Sequence, residues 1–233
     1  MNMKTSVQRV IPISLGMVKV FLIRGQSRSV LIDAGNVPGD GDKIIAQIQA
    51  HGVDPRSISL IVITHIHRDH VGALSQLVAA TGAPVVVHAA EADLLRRGTS
   101  QVVVPRTWPA KLVMRLAPPT PLPAVEPNLI VQEELDLTPF GVAGQVLSTP
   151  GHTDGSLSVR LSGGEAIVGD LIMSWLMSTR IPTWPMIAQN PAQVAESIKR
   201  VLAWHPTLIY AAHGGPFTAQ AVAKRLKIEM PGS

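Results

Sequence analysis

SLIVITHIHRDHVG, residues 59–72, joins an apolar run to three histidines and an aspartate. Leu60, Ile61, Val62 and Ile63 show no polar alternation, the pattern of a strand covered on both faces in an α/β protein. Such a strand delivers the residues at its end to a sheet edge, where α/β frameworks carry their chemistry. Taken singly, His65 reads as a hydrogen-bonded core histidine, and Asp69 reads as the cap of a helix starting near Val71. Together with His67 and His70 they read as a metal site, because neutral imidazole and carboxylate are ligands that suit zinc, iron or manganese. In extended chain His65 and His67 project to the same side and reach one ion. Asp69 and His70, at the turn into the helix, point elsewhere and serve a neighbouring ion.

The chain has 233 residues, 46% hydrophobic and 15% charged. That composition folds compactly, as a single domain over 1–233 or as two fused half-domains. Cysteine is absent, which excludes disulfides, thiolate catalysis and zinc sites built on sulfur. The opening residues MNMKTSVQRVIPIS have no apolar signal core. The uncharged stretch 201–223 contains Pro206, Gly214, Gly215, Pro216 and two histidines, which do not suit a membrane span. A cytoplasmic protein without a membrane partner is expected. The net charge of +4 is scattered and aromatics are 3% of the chain, so no basic stripe interleaved with stacking rings points to nucleic acid. Lys224, Arg225 and Lys227 read as the solvated face of a terminal helix.

In order, residues 11–24 and 29–34 read as two strands joined by the turn Arg24-Gly25-Gln26-Ser27. Asp33 ends the second strand, either as a turn former or as an outer hydrogen-bond partner of a metal-bound imidazole. A helix over 42–49, the central strand, a helix over 73–80 and the strand 85–87 ending at His88 continue the α/β alternation. His88 reads as a satisfied edge histidine. Between residues 105 and 127 stand seven prolines, which prevent regular ladders. This insertion, near 100–128, carries Trp108 and reads as a lid over the site or as an arm reaching a second subunit in a homodimer. Strands resume over 129–137, 144–148 and 157–161. Pro150 and Gly151 fix a turn that holds His152 at a strand end. Asp170 follows the strand 166–169, a helix spans 191–204, and the strand 208–212 ends at His213.

Strand ends thus repeatedly terminate in metal-competent side chains. THIHRDH at 64–70, PGHTDGS at 150–156, GD at 169–170 and HG at 213–214, with LIDAG at 31–35, resemble the metallo-β-lactamase superfamily, and within it the glyoxalase II-like hydrolases. The resemblance implies a four-layer αββα sandwich of two mixed sheets, with the halves meeting in the proline-rich segment. It implies that His65, His67 and His152 bind one divalent ion, that Asp69, His70 and His213 bind a second, and that Asp170 bridges them. Zinc is the first expectation, with iron or manganese as alternatives. His67 stands where a glutamate would have indicated flavodiiron chemistry.

Two such ions hold a hydroxide at neutral pH, and that hydroxide is the expected nucleophile, with Asp69 orienting it. Ester, thioester, lactone and lactam cleavage all fit, because the core does not choose its substrate. A mononuclear iron persulfide dioxygenase and a phosphodiesterase or nuclease are the alternatives. Beyond Asp170, Trp175, Arg180 and Trp184 join Trp108 as expected substrate contacts. They suit a small molecule with an apolar acyl part, Arg180 serving a carboxylate; packing under the loop is the competing role for the tryptophans.

Overall fold

The computed structural model describes residues 8–100, 121–174 and 180–230. The first apolar run is two strands rather than one: β1 (Arg9–Ser14) and β2 (Lys19–Arg24) form an antiparallel hairpin. The turn between them is closed by Leu15 N–H donating to Val18 O at 2.9 Å. There follow β3 (Ser29–Ile32), α1 (Asp40–Ala50), β4 (Ile58–Val62), α2 (Arg68–Val71), α3 (Leu74–Thr81), β5 (Val85–His88), α4 (Ala92–Arg97) and β6 (Leu129–Val131). These six strands make one sheet in the order β1-β2-β3-β4-β5-β6, antiparallel from β1 to β3 and parallel beyond.

The second sheet takes β7 (Glu134–Asp136), β8 (Gly144–Ser148), β9 (Leu157–Leu161), β10 (Glu165–Ile167) and β13 (Leu208–Tyr210), in the order β13-β10-β9-β8-β7. Between β10 and β13 lie the small antiparallel pair β11 (Met173–Ser174) and β12 (Pro182–Thr183) and the helix α5 (Pro191–Leu202); α6 (Ala219–Leu226) closes the order. The chain changes sheet between β6 and β7, at Gln132 and Glu133. The halves therefore meet just past the proline-rich segment and not within it. The single strand expected over 129–137 is two strands in different sheets.

Three apolar clusters define the layers. Leu60 and Val62 of β4 pack between the sheets with Phe21, Ile32, Val146, Val159 and Ile167. Ile61 and Ile63 face the other way, onto Ile44 and Ile48 of α1 and Leu74 and Leu77 of α3. Both faces of β4 are thus covered, which is why its sequence does not alternate. On the far side of the second sheet, Val194, Ile198, Val201 and Leu202 of α5 pack with Val222 and Leu226 of α6 over Ala166 and Ile209. The result is helix, sheet, sheet, helix. Each large aliphatic side chain buried this way contributes about 1.5–3 kcal/mol.

Of the proline-rich segment, residues 105–120, with Trp108, lie outside the described residues. At its described end Leu122 and Val125 pack against the helix-side core of the first sheet. Val125 N–H donates to Leu95 O of α4 at 3.1 Å, which anchors that end. Among the described residues no helix is long and apolar enough to cross a membrane.

Candidate metal centre

The parallel strands β3 and β4 end side by side, and their last residues open the site. Asp33, buried and with φ of 65°, accepts from the Thr64 N–H at 2.8 Å and from Thr64 Oγ1 at 2.9 Å. Ala34 N–H then donates to His70 O, and Gly72 N–H donates to Gly35 O, each at 2.7 Å, which clamps α2 against the 34–37 loop. Gly72 is needed for this: a Cβ there would stand 2.1 Å from the Asn36 backbone. His152 arrives on the turn after β8, Asp170 after β10, and His213 after β13.

His65 Nε2, His67 Nδ1 and His152 Nε2 lie 3.0–3.1 Å from one another. His152 Nδ1–H donates to Ile187 O at 2.8 Å. A carbonyl only accepts, so in the neutral ring the proton is on that side and Nε2 presents its lone pair to the cluster. Burial, with His70, His152 and His67 alongside, holds His65 well below the usual imidazole range. Burial, with His152 nearby, lowers His67 to about 3. Three neutral rings with lone pairs converging on one point match the needs of a borderline-soft cation.

The adjoining cluster demands positive charge as well. His213 Nε2 is 3.0 Å from Asp69 Oδ2 and 3.4 Å from Asp170 Oδ2, and His70 Nε2 is 3.4 Å from Asp170 Oδ1. His213 Nδ1–H is committed to Met17 O at 2.8 Å, and His70 Nδ1–H to Asp33 Oδ2 at 2.8 Å. Burial alone would lower His213, but Asp170 and Asp69 raise it to about 10. His70 Nε2 and Asp170 Oδ1 are buried with no hydrogen-bond partner among the described residues. Asp170 Oδ2, 3.7 Å from His152 Nε2, lies between the two clusters. Ligand-competent atoms of His65, His67 and His152, of His65, His70 and Asp170, and of Asp69, His70 and His213 each fall within 4.8 Å of one another. The donor set fits divalent cations on both counts: ring lone pairs that converge, and carboxylates that draw positive charge onto the imidazoles beside them.

The expected substrate contacts are dispersed. Trp108 and Trp175 fall outside the described residues. Trp184 packs against the α5–α6 core and Arg180 is exposed. His88 caps the turn after β5 through its Nδ1 and donates from Nε2 to Gln132 O at 2.9 Å, a satisfied edge histidine.

Glu91 is a residue that sequence inspection passes over. It is 1% exposed; its Oε2 accepts from Ile66 N–H at 2.7 Å, between His65 and His67, and Thr153, beside His152, hydrogen-bonds it too. A Cβ at Gly155 would come within 2.5 Å of the Glu91 side chain, so that glycine makes room for the brace. Burial pushes the Glu91 carboxyl up from 4.5 to about 7, against the hydrogen bonds from Thr153 and Ile66. A carboxyl raised on folding favours the native state fully below pH 4.5 and loses that contribution as pH rises through about 7. Glu91→Gln, which keeps an acceptor for Ile66, should therefore gain stability relative to wild type between pH 5 and pH 8, by up to about 3 kcal/mol. Denaturant unfolding of both proteins with metal chelated checks this; a constant difference across that range would contradict it.

Comparison with known proteins gives a consistent result. The profile of the Metallo-beta-lactamase superfamily matches residues 13–213. A probable metallo-hydrolase of Bacillus subtilis is 27% identical over 207 residues, covering 82% of this chain and 77% of the relative. An acyl-coenzyme A thioesterase of Gallus gallus is 28% identical over 208 residues, covering 80% and 71%. Among solved structures, the B3 metallo-beta-lactamase BLEG-1 superposes with a TM-score of 0.68 at 20% identity, over 97% of this chain and 98% of its own.

Proposed function

This chain belongs to the Metallo-beta-lactamase superfamily, and we propose that it is a hydrolase of acyl esters or thioesters working with two divalent cations, zinc first among them. His65, His67 and His152 would hold one cation and Asp69, His70 and His213 the other, with Asp170 between. The observation that carries this reading is the convergence of ring nitrogens whose far sides are tied to Ile187 O, Asp33 and Met17 O.

When bound, the cations supply water ionised near neutral pH and a Lewis acid for the scissile carbonyl. The chain's own groups do the rest. Asp69, with a third of its side chain exposed, faces solvent. Burial would raise its pKa, but His70 and His213 lower it to about 2, so it is a carboxylate at neutral pH and orients the attacking water by accepting a hydrogen bond. Outer partners such as Asp33 fix the imidazole tautomers and raise ligand basicity. Lactones and lactams suit the same chemistry; the matched acyl-coenzyme A thioesterase favours thioesters as the first substrates to try.

Metal quantification on the purified protein, joined to a panel of thioesters, lactones, β-lactams and phosphodiesters, tests the proposal. Two divalent ions per chain are expected, with acyl-bond hydrolysis abolished by chelation and restored by zinc. One iron per chain with oxygen consumption would replace this reading by the dioxygenase alternative. Phosphodiester cleavage without acyl hydrolysis would replace it by a nuclease.

A further inference from the structure

The three rings of the first cluster come from two loops far apart in sequence, and one side chain outside the ligand set touches both. Glu91 ends the turn Ala89–Glu91 after β5 and precedes α4, whose Ala92 and Leu95 belong to the helix-side core of the first sheet. Its carboxyl is thus delivered by a packed element and not by the loops it meets. Oε2 accepts from the Ile66 N–H at 2.7 Å, at the residue between His65 and His67. The Ile66 side chain is buried in that same core, so without the carboxyl this donor would be unpaired in the interior.

The loop of His152 packs along the rest of the Glu91 side chain. A Cβ on Gly155 would stand 2.5 Å from Glu91 Cγ, 2.8 Å from Cδ and 3.3 Å from Cβ, so carboxyl and stem both lie against the Gly155 backbone. This loop is braced internally. Gly151 N–H donates to Thr153 O at 2.9 Å, Thr149 N–H to Ser156 O at 2.8 Å, and Thr153 N–H to Ser156 Oγ at 3.0 Å, so the position of Gly155 sets that of His152. The other supports act differently. Ile187 O orients the His152 ring, while Asp33 and Met17 O orient His70 and His213. Leu157 N–H donates to Thr64 O at 2.8 Å and joins the two loops where they leave their strands. Glu91 joins them farther out, beside the ligands.

We propose that Glu91 is a positioning residue for the cation of His65, His67 and His152: by joining the Ile66 backbone to the Gly155 turn, it fixes the spacing at which ring nitrogens from two loops converge. The role rests on the two-cation reading above and concerns binding, not hydrolysis.

Zinc titrations of the full chain, as wild type, Glu91→Ala, Glu91→Gln and Gly155→Ala, test this. A chromophoric chelator gives the affinities, and nitrogen-15 imidazole shifts assign each class of site to its histidines. Glu91→Ala should weaken the class assigned to His65, His67 and His152 by about 10- to 100-fold, the range for outer partners of metal ligands, and leave the class of His70 and His213 unchanged. Glu91→Gln still offers an acceptor to Ile66 N–H and should recover most of that loss. Gly155→Ala keeps the carboxyl but adds a methyl group where the Glu91 side chain lies, so it should weaken the same class; Gly155 is not at positive φ, and alanine there adds no backbone strain of its own. Should Glu91→Ala fail to fold, Gly155→Ala and Glu91→Gln decide. Equal weakening of both classes, the mark of a merely structural defect, overturns the role. So does unaltered three-histidine affinity in Gly155→Ala, or a glutamine variant no better than alanine. Selective weakening in a protein that hydrolyses no acyl bond would remove the hydrolase reading and leave Glu91 in its role; wild-type shifts showing no cation at His65, His67 and His152 would remove both.

Discussion

Asparagine at position 170 is expected to strip the purified protein of at least one cation per chain and to reduce acyl-bond hydrolysis to background. Asp170 has 7% of its side chain exposed and sits 3.4–3.7 Å from ring nitrogens of His70, His152 and His213. Burial would raise its pKa, but His213 and His70 hold it well below the usual carboxylate range, so it enters the site as an anion. Asparagine has the same shape and no charge, and its amide nitrogen donates where a ligand must accept. Outer partners of metal ligands are worth 10- to 100-fold in metal affinity, so an effect of at least about a hundredfold is expected where a bridging carboxylate is lost. The fold should persist, because packing around an isosteric side chain is unchanged. Metal analysis after dialysis, thermal unfolding and thioester turnover together check the prediction. Two tightly held ions and wild-type rates in Asp170→Asn would show that the carboxylate does not bridge.

Much of this was readable from one dimension. The histidine cluster is local, and residues such as His152 and His213 stand at strand ends recognisable from short apolar runs followed by Gly or Pro. The αββα layering came from the family resemblance; the apolar run of β4 implied only a strand covered on both faces, as the two cores around it show. Features set by long-range packing were not readable. The β1–β2 turn has Gly16 as its sole break in an apolar run, so hairpin and single strand look alike. The change of sheet at Gln132 and Glu133 is too short to register as a crossover. Glu91 sits in an ordinary helical pattern, and its contacts with Ile66 and Thr153 exist only once both histidine loops have docked.

Asp33 offers a way to separate the stability of this site from its chemistry. Its Oδ1 accepts from Thr64 N–H, and its Oδ2 accepts from both Thr64 Oγ1 and His70 Nδ1, all with no exposure to solvent. Alanine would orphan these three buried donors, each at a cost of about 1–3 kcal/mol. It would also put an ordinary residue at φ of 65°, a conformation that aspartate and asparagine tolerate better. Asp33→Ala is therefore expected to be severely destabilised in denaturant unfolding.

Asparagine at position 33 keeps the backbone tolerance and, with Oδ1 still facing the Thr64 N–H, places its Nδ2 opposite His70 Nδ1. Two donors cannot face each other, so His70 would carry its proton on Nε2, the atom needed as a ligand. The same inversion of tautomer by an Asp-to-Asn change disables a histidine in the serine protease triad. Asp33→Asn should thus fold with a smaller penalty than Asp33→Ala while the cation shared by Asp69, His70 and His213 binds about 10- to 100-fold more weakly. Affinity for the cation held by His65, His67 and His152 should change little. Competition with a chromophoric chelator resolves two classes of site, and nitrogen-15 imidazole shifts report the His70 tautomer directly. Unaltered affinity for both ions, with Nε2 of His70 still unprotonated, would rule out Asp33 as the group that fixes that ring.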